Sequence, residues 1–217
     1  MMKNWIVIFL TLTNALFYAQ DSKNTRLFDP LSVTKDAALS EQEFFVKLND
    51  AAIERTTFDI TYDPAYVKIK YPGGDVPSNT GVCTDVVVRC YRKLGWDLQV
   101  LVHDDKLKRP STYPKKWSRK PDTNIDHRRV LNLMAFFRNQ GAELPKTNKA
   151  EDYRPGDIVC WNLGGNVTHI GIVVNVKSSR GFGYRVVHNI GGGDNMDDVL
   201  FNWEIIGHYR YYPAGNK

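Results

Sequence analysis

The stretch that decides the fold is Tyr71-Pro72-Gly73-Gly74-Asp75-Val76-Pro77-Ser78-Asn79-Thr80-Gly81-Val82-Cys83-Thr84-Asp85-Val86-Val87-Val88-Arg89-Cys90-Tyr91-Arg92-Lys93-Leu94-Gly95. Its first half is dense in Gly, Pro, Asn and Asp and reads as a loop. In its second half Cys83, Val86, Val87, Cys90, Tyr91 and Leu94 recur at i, i+3, i+4, i+7, i+8 and i+11, the apolar stripe of an amphipathic helix. Gly95 stands where a left-handed glycine ends such a helix. Cys83 therefore opens a helix directly after a glycine-rich loop. There the unpaired N–H groups of the first turn and the positive end of the helix dipole favour an anion. That setting lowers a thiol's pKa and makes it nucleophilic, and the same N–H groups can hold an oxyanion. The competing reading is a small apolar residue buried at a helix start.

Working outward, Ser40-Glu41-Gln42-Glu43 has the capping-box pattern and precedes Phe44, Phe45, Leu48, Ala51 and Ala52 at helical spacing, which predicts a helix over about 40–55. Tyr66-Val67-Lys68-Ile69-Lys70 alternates and predicts a short strand, as does Leu98 to Val102. Residues 103–124 lack periodicity. A third helix follows, with Asn124 as its N-cap, apolar Val130, Leu131, Leu133, Met134, Phe136 and Phe137, and Gly141 beyond its end. The remainder predicts strands at Asp157–Asn162, Thr168–Val176, Tyr184–Ile190, more weakly Val199–Trp203, and Ile205–Tyr212. Helices first and antiparallel strands later is an α+β order.

The 217 residues, 42% hydrophobic and 24% charged, are too apolar for a disordered chain, and three cysteines are too few to staple a disulfide scaffold of this length. One core-forming domain is expected. The formal charge of +5 requires no acidic partner. Met1 to Gln20 joins a single early Lys3 to the apolar runs Trp5–Leu10 and Ala15–Ala19, the pattern of a secretory signal peptide, with an uncleaved anchor as the alternative. The expected organisation is a signal peptide over 1–20, a lead-in and helix over 21–54, and a hydrolase-like domain over 55–217. The mature protein is then an exported, periplasmic or secreted monomer with no membrane-spanning segment, and at least one of its three cysteines is unpaired.

A thiolate needs a base. His169 opens the alternating run Thr168-His169-Ile170-Gly171-Ile172-Val173-Val174 and shares a face with Gly171 and Val173. His188 ends Tyr184-Arg185-Val186-Val187-His188. If these strands are neighbours, both rings lie on one face near one end, giving a nucleophile, a base and a group to orient the base. The plainer alternative is a pair of hydrogen-bonded structural histidines. His103 reads as part of a solvated turn, His208 as a cross-strand partner, and His127 as a helix-start residue or substrate contact. Cys90 lies two turns from Cys83, roughly 10 Å at the helical rise, too far for a disulfide, and reads as core, as does Cys160. His169, His188, Asp194 and Cys160 are the only composition for zinc, but no ligand spacing supports it, so no metal or cofactor is expected.

Taken in order, Tyr71-Pro72-Gly73-Gly74, Cys83, Pro155-Gly156-Asp157-Ile158-Val159, His169-Ile170-Gly171-Ile172 and Val187-His188-Asn189 resemble the motifs of the NlpC-type papain-like cysteine peptidases of bacterial cell walls. More closely, the chain resembles an exported bacterial family of YijF-like proteins, a domain of unknown function grouped with those peptidases. The likeness spans about 55–213. It implies a papain-like α+β fold with Cys83 on a helix N-terminus packed on an antiparallel sheet. It makes Cys83 the nucleophile and His169 the base, with His188, or Asn189 in its place, orienting that base. Tyr71 would line the site near the oxyanion, and Asp75, Asn189 and His127 would contact substrate. Asp157 would be structural. Val82-Cys83-Thr84-Asp85 departs from the usual Asp-Cys-Ser-Gly, and 103–129 forms an insertion. That insertion is basic, with Tyr113 and Trp117 interleaved, and reads as a solvated loop or a contact for an anionic envelope polymer. No nucleic-acid-binding motif is present. The implied activity is hydrolysis of an amide in peptidoglycan stem peptides. The rivals are a lipid- or acyl-directed thiol hydrolase or acyltransferase of the same fold, and a non-catalytic cell-wall-binding module.

Overall fold

The computed structural model describes residues 39–116, 120–181 and 183–213. The expected signal peptide and the rest of the lead-in before Leu39 lie outside them. Helix α1, Glu41–Arg55, opens on a reciprocal cap: Glu43 N–H donates to Ser40 Oγ at 3.3 Å and Ser40 N–H to the Glu43 carboxylate at 2.9 Å. Its Phe44, Phe45, Leu48, Ala51 and Ala52 are buried, as the spacing predicts. Strands β1, Thr61–Tyr62, and β2, Thr80–Gly81, form a short parallel pair that ties the chain after α1 to the end of the glycine-rich loop. Helix α2, Cys83–Lys93, follows. Val82 offers no polar side chain for its N-terminus, so the cap comes from inside: Asp85 accepts the Val82 N–H at 2.8 Å. Gly95 takes the left-handed conformation, φ 88°, just past its end.

Strands β3 (Ile158–Asn162), β4 (Thr168–Lys177), β5 (Tyr184–His188), β6 (Asn195–Asp197) and β7 (Glu204–Tyr209) form one antiparallel sheet in the order β6-β5-β4-β3-β7. The central strand β4 alternates strictly. Ile170, Ile172 and Val174 join the core that the helices build with Ile158, Cys160 and Val187. On the opposite face Val173 packs with Val159, Trp161, Val186, Tyr153 and Leu200. Both faces of the sheet are therefore covered, and the architecture is α+β. No helix among the described residues is long and apolar enough to cross a membrane.

Several local expectations are corrected. Leu98 to Val102 is not a strand but the start of helix α3, Leu98–Lys108, whose N-terminus is capped by the Asp97 carboxylate accepting the Gln99 N–H at 3.1 Å. Its buried residues, Leu98, Gln99, Val102, Asp105 and Lys106, do have helical spacing, but three of the five are polar and conceal the stripe. His103 thus lies on a helix, not in a solvated turn. Tyr66 to Lys70 finds no strand to pair with, and the Ile69 N–H donates instead to Asn124 Oδ1 at 2.9 Å. Asn124, occupied there, does not cap a helix. The helix placed after it, α4, is Val130–Asn139 and follows a single 3₁₀ turn, Asp126–Arg128. The edge beside β5 is β6, with β7 at the other edge, and 199–203 is a turn.

The basic segment is solvated only in part: residues 107–112, 115, 116 and 120 are exposed, but Lys106 and Arg128 are buried. Lys106 donates to Asp126 at 2.8 Å, with both side chains buried. Arg128 makes a two-point contact with Asp85, Nε to Oδ1 and Nη2 to Oδ2, each 2.9 Å, also buried. The charges hold α3, the 3₁₀ turn and α2 together.

Candidate functional site

The site starts from strand register. Across β4 and β5, Gly171 pairs with His188, so His169 and His188 are diagonal neighbours on one face. A Cβ on Gly171 would lie 2.6 Å from Val186 Cγ1 and 2.9 Å from the Val187 carbonyl oxygen, so only glycine lets the strands meet there. The rings follow. His169 Nε2 and His188 Nδ1 are 2.7 Å apart, with ring centroids at 4.9 Å and planes at 75°. His188 Nε2 in turn lies 3.2 Å from Asp197 Oδ2 on β6. The Trp161 indole stacks on His169 at 5.7 Å, and Trp203 meets it edge-on at 6.1 Å. Burial first, and the charge of His188 next, hold the His169 pKa down to about 3. Burial also lowers His188, opposed by the Asp197 carboxylate. Both rings are neutral at neutral pH.

Cys83 is the first residue of α2 and is buried against the helix-side face of the sheet. The backbone N–H groups of Ile170, the residue after His169, and of Thr84 and Cys83 in its own first turn act on the thiol and favour its ionised form. No hydrogen bond joins thiol and imidazole: Cys83 packs among the helix-side residues with Ile170, whereas His169 belongs to the face of β4 that carries Gly171 and Val173. The thiol pKa is not lowered, as the helix terminus led us to expect, but pushed up to about 12. Burial is the main cause and the Asp85 carboxylate adds to it, together outweighing the N–H groups. Cys90 is pushed up to about 12 by burial as well, and Cys160 is raised further still. All three thiols are free. What separates Cys83 is its seat among backbone N–H groups.

The other sequence candidates are dispersed. Tyr71, expected near the oxyanion, packs its ring on His103 at 5.2 Å, and the charges that act on it are those of Asp104 and Asp97. Asp75 pairs with Arg89 at 2.9 Å and Arg92 at 3.6 Å on the outer face of α2. Asn189 donates to Asp194 at 2.9 Å and accepts the Gly191 N–H at 3.1 Å, while Asp194 is held by Arg55. It braces the glycine-rich turn after β5, and it is His188 that bonds His169. His127 is buried with Nδ1 unpartnered, and burial takes its pKa down to about 4. Asp157 accepts from Arg154 N–H, His208 Nε2 and Arg210 Nη1, a structural knot.

Two residues near the site escaped the sequence reading. Asp197 is one. The other is Tyr62, half-exposed and paired through β1 with Gly81, two residues before Cys83. Its phenol pKa is raised by burial first and by the neighbouring Cys83 and Asp85 next. Neither residue belongs to a motif, and only the pairing of distant strands brings them in. Among the described residues no group of three or more His, Cys, Asp or Glu is placed to hold a metal ion.

The model of a family described as a domain of unknown function, DUF1287, matches residues 49–211. This chain belongs to that family. The matched span takes in Cys83, both histidines and Asp197. The chain is also 48% identical over 164 residues to the "Uncharacterized protein YijF" of Escherichia coli (strain K12), an alignment covering 75% of this chain and 80% of that relative. For this DUF1287 member the argument about chemistry therefore rests on the site itself.

Proposed function

We propose that the protein is a cysteine hydrolase that cleaves an amide through Cys83, His169 and His188. The reading is carried by one observation: the bonded pair His169–His188 begins at the residue preceding Ile170, whose backbone N–H favours the ionised Cys83 thiol. With a thiol near 12 and an imidazole near 3, the resting pair is neutral, so the nucleophile is generated during attack. His169 takes the thiol proton as sulfur bonds to the carbonyl carbon, and the oxyanion is held by the N–H groups that open α2. His169 then gives that proton to the nitrogen, the amine leaves, and a thioester remains on Cys83. Water, deprotonated by His169, attacks the thioester and frees the acid and the thiol. Stem peptides of peptidoglycan are the substrate class, on the strength of the resemblance to papain-like enzymes of the NlpC type and of the expected export.

The test is mass spectrometry of purified muropeptides after incubation with the full chain. Cys83→Ala is expected to abolish product, while Cys90→Ala and Cys160→Ala retain it; equal loss in all three points to folding and overturns the assignment. A second reading, a non-catalytic wall-binding module, is favoured by the burial of the thiol. Labelling with iodoacetamide near neutral pH separates the two: selective modification of Cys83 supports the enzyme, and an inert Cys83 supports the module.

A further inference from the structure

His169, His188 and Asp197 form a line across the sheet. His169 and His188 are diagonal across β4 and β5, where Gly171 pairs with His188. His188 and Asp197 are diagonal across β5 and β6, where His188 pairs with Asn195. The Asp197 side chain, 49% exposed, ends the line at solvent.

Building on the hydrolase reading above, we infer that Asp197 is a positioning residue that fixes which nitrogen of His169 serves as the base. A carboxylate only accepts hydrogen bonds, so its contact with His188 Nε2 at 3.2 Å requires the proton on that nitrogen. A neutral imidazole carries one N–H, which leaves His188 Nδ1 as a lone pair. The 2.7 Å contact with His169 Nε2 then requires a proton there. The lone pair of His169 is consequently on Nδ1, and no group among the described residues bonds to it. Trp161 and Trp203 hold the ring plane in place. When His169 Nδ1 receives the thiol proton, the new imidazolium still donates Nε2–H to His188, and the carboxylate at the far end offsets its charge. Without Asp197, His188 is free to carry its proton on Nδ1. The pair then reverses, and His169 presents an N–H where a base is needed.

The experiment is nitrogen NMR of the full chain with ¹⁵N-labelled histidine at neutral pH, alongside steady-state kinetics on muropeptides. Wild type is expected to show both His169 and His188 as Nε2–H tautomers. Asp197→Ala is expected to shift His188, and His169 with it, toward Nδ1–H. It should also lower kcat by about 10–100-fold, the usual loss for an outer orienting partner, with little change in KM. Asp197→Glu should restore the tautomer and part of the rate. An Nδ1–H tautomer of His169 in wild type, or tautomers that ignore the loss of Asp197, overturns the inference. A tautomer switch in a protein that cleaves no muropeptide leaves the Asp197 assignment standing and sinks the hydrolase reading instead.

Discussion

Two of the buried polar clusters among the described residues are built on opposite principles. In the first, around the start of α2, every charge meets its opposite. Arg128 grips Asp85 and also donates to the Ala65 and Asp63 carbonyls at 3.1 and 3.3 Å. Asp126 gathers Lys106, Asn132 Nδ2 at 3.1 Å and the Asp122 N–H at 2.7 Å. The second, His169–His188–Asp197, contains two neutral rings and is left open at both ends, a bare His169 Nδ1 at one end and a half-exposed carboxylate toward solvent at the other. A closed, fully compensated cluster fastens segments together. An open one, with neutral rings and a single carboxylate at its rim, keeps a lone pair at hand and holds its place through aromatic stacking and strand register.

The comparison breaks most visibly at the closed cluster. Asp126→Ala removes the carboxylate that Lys106, Asn132 and the Asp122 N–H share and should cost about 3–5 kcal/mol, read as a lower urea midpoint at unchanged slope. A loss of only a few tenths would show that water reaches the pair and that the contrast is overstated. Acid should expose the other cluster next. Buried His169 and His127 stay neutral in the fold down to about 3 and about 4, whereas in the unfolded chain they take up protons near 6.5. The unfolded state therefore binds more protons in that window, and stability falls as pH drops from about 6.5 toward 3–4. Melting temperature followed from pH 7 to pH 4 should decline, and His169→Gln should flatten the decline; an unchanged profile would place solvent around that ring. The smallest effect sharpens the geometry. Gly171→Ala forces a methyl against Val186 and the Val187 carbonyl, and should cost about 1–3 kcal/mol by prying β4 from β5. The same wedge separates the two imidazoles, so the ¹⁵N signals of both histidines should move in that variant even under conditions where it remains folded.

Where local patterning and burial agree, the sequence was readable. The capping box of α1, the stripe of α2, the left-handed Gly95 and the alternation of β4 each follow from neighbours within a few turns. Legibility fails where polar residues occupy the buried side. Gln99, Asp105 and Lys106 disguise α3 as a strand followed by a loop, because their partners, such as Asp126, lie far along the chain. Alternation without a neighbour misled in the other direction at Tyr66 to Lys70, where an extended segment is bonded by a side chain instead of a ladder. At the site, the two histidines could be paired from strand periodicity, but Asp197 could not, since β6 takes its place beside β5 only once the sheet is assembled. The thiol was misjudged in its ionisation: position at a helix start is visible in a sequence, while the depth at which a helix is buried is not.

The pairing of Gly171 with His188 has one more consequence. Side chains along a strand alternate, so sliding β5 by a single step against β4 would turn His188 toward the helices and Val187 away from them. The slip that spoils the hydrophobic fit also parts the imidazoles. The hydrophobic fit and the histidine contact are thereby checked by the same alignment, and a chain that closes its sheet out of step loses both at once.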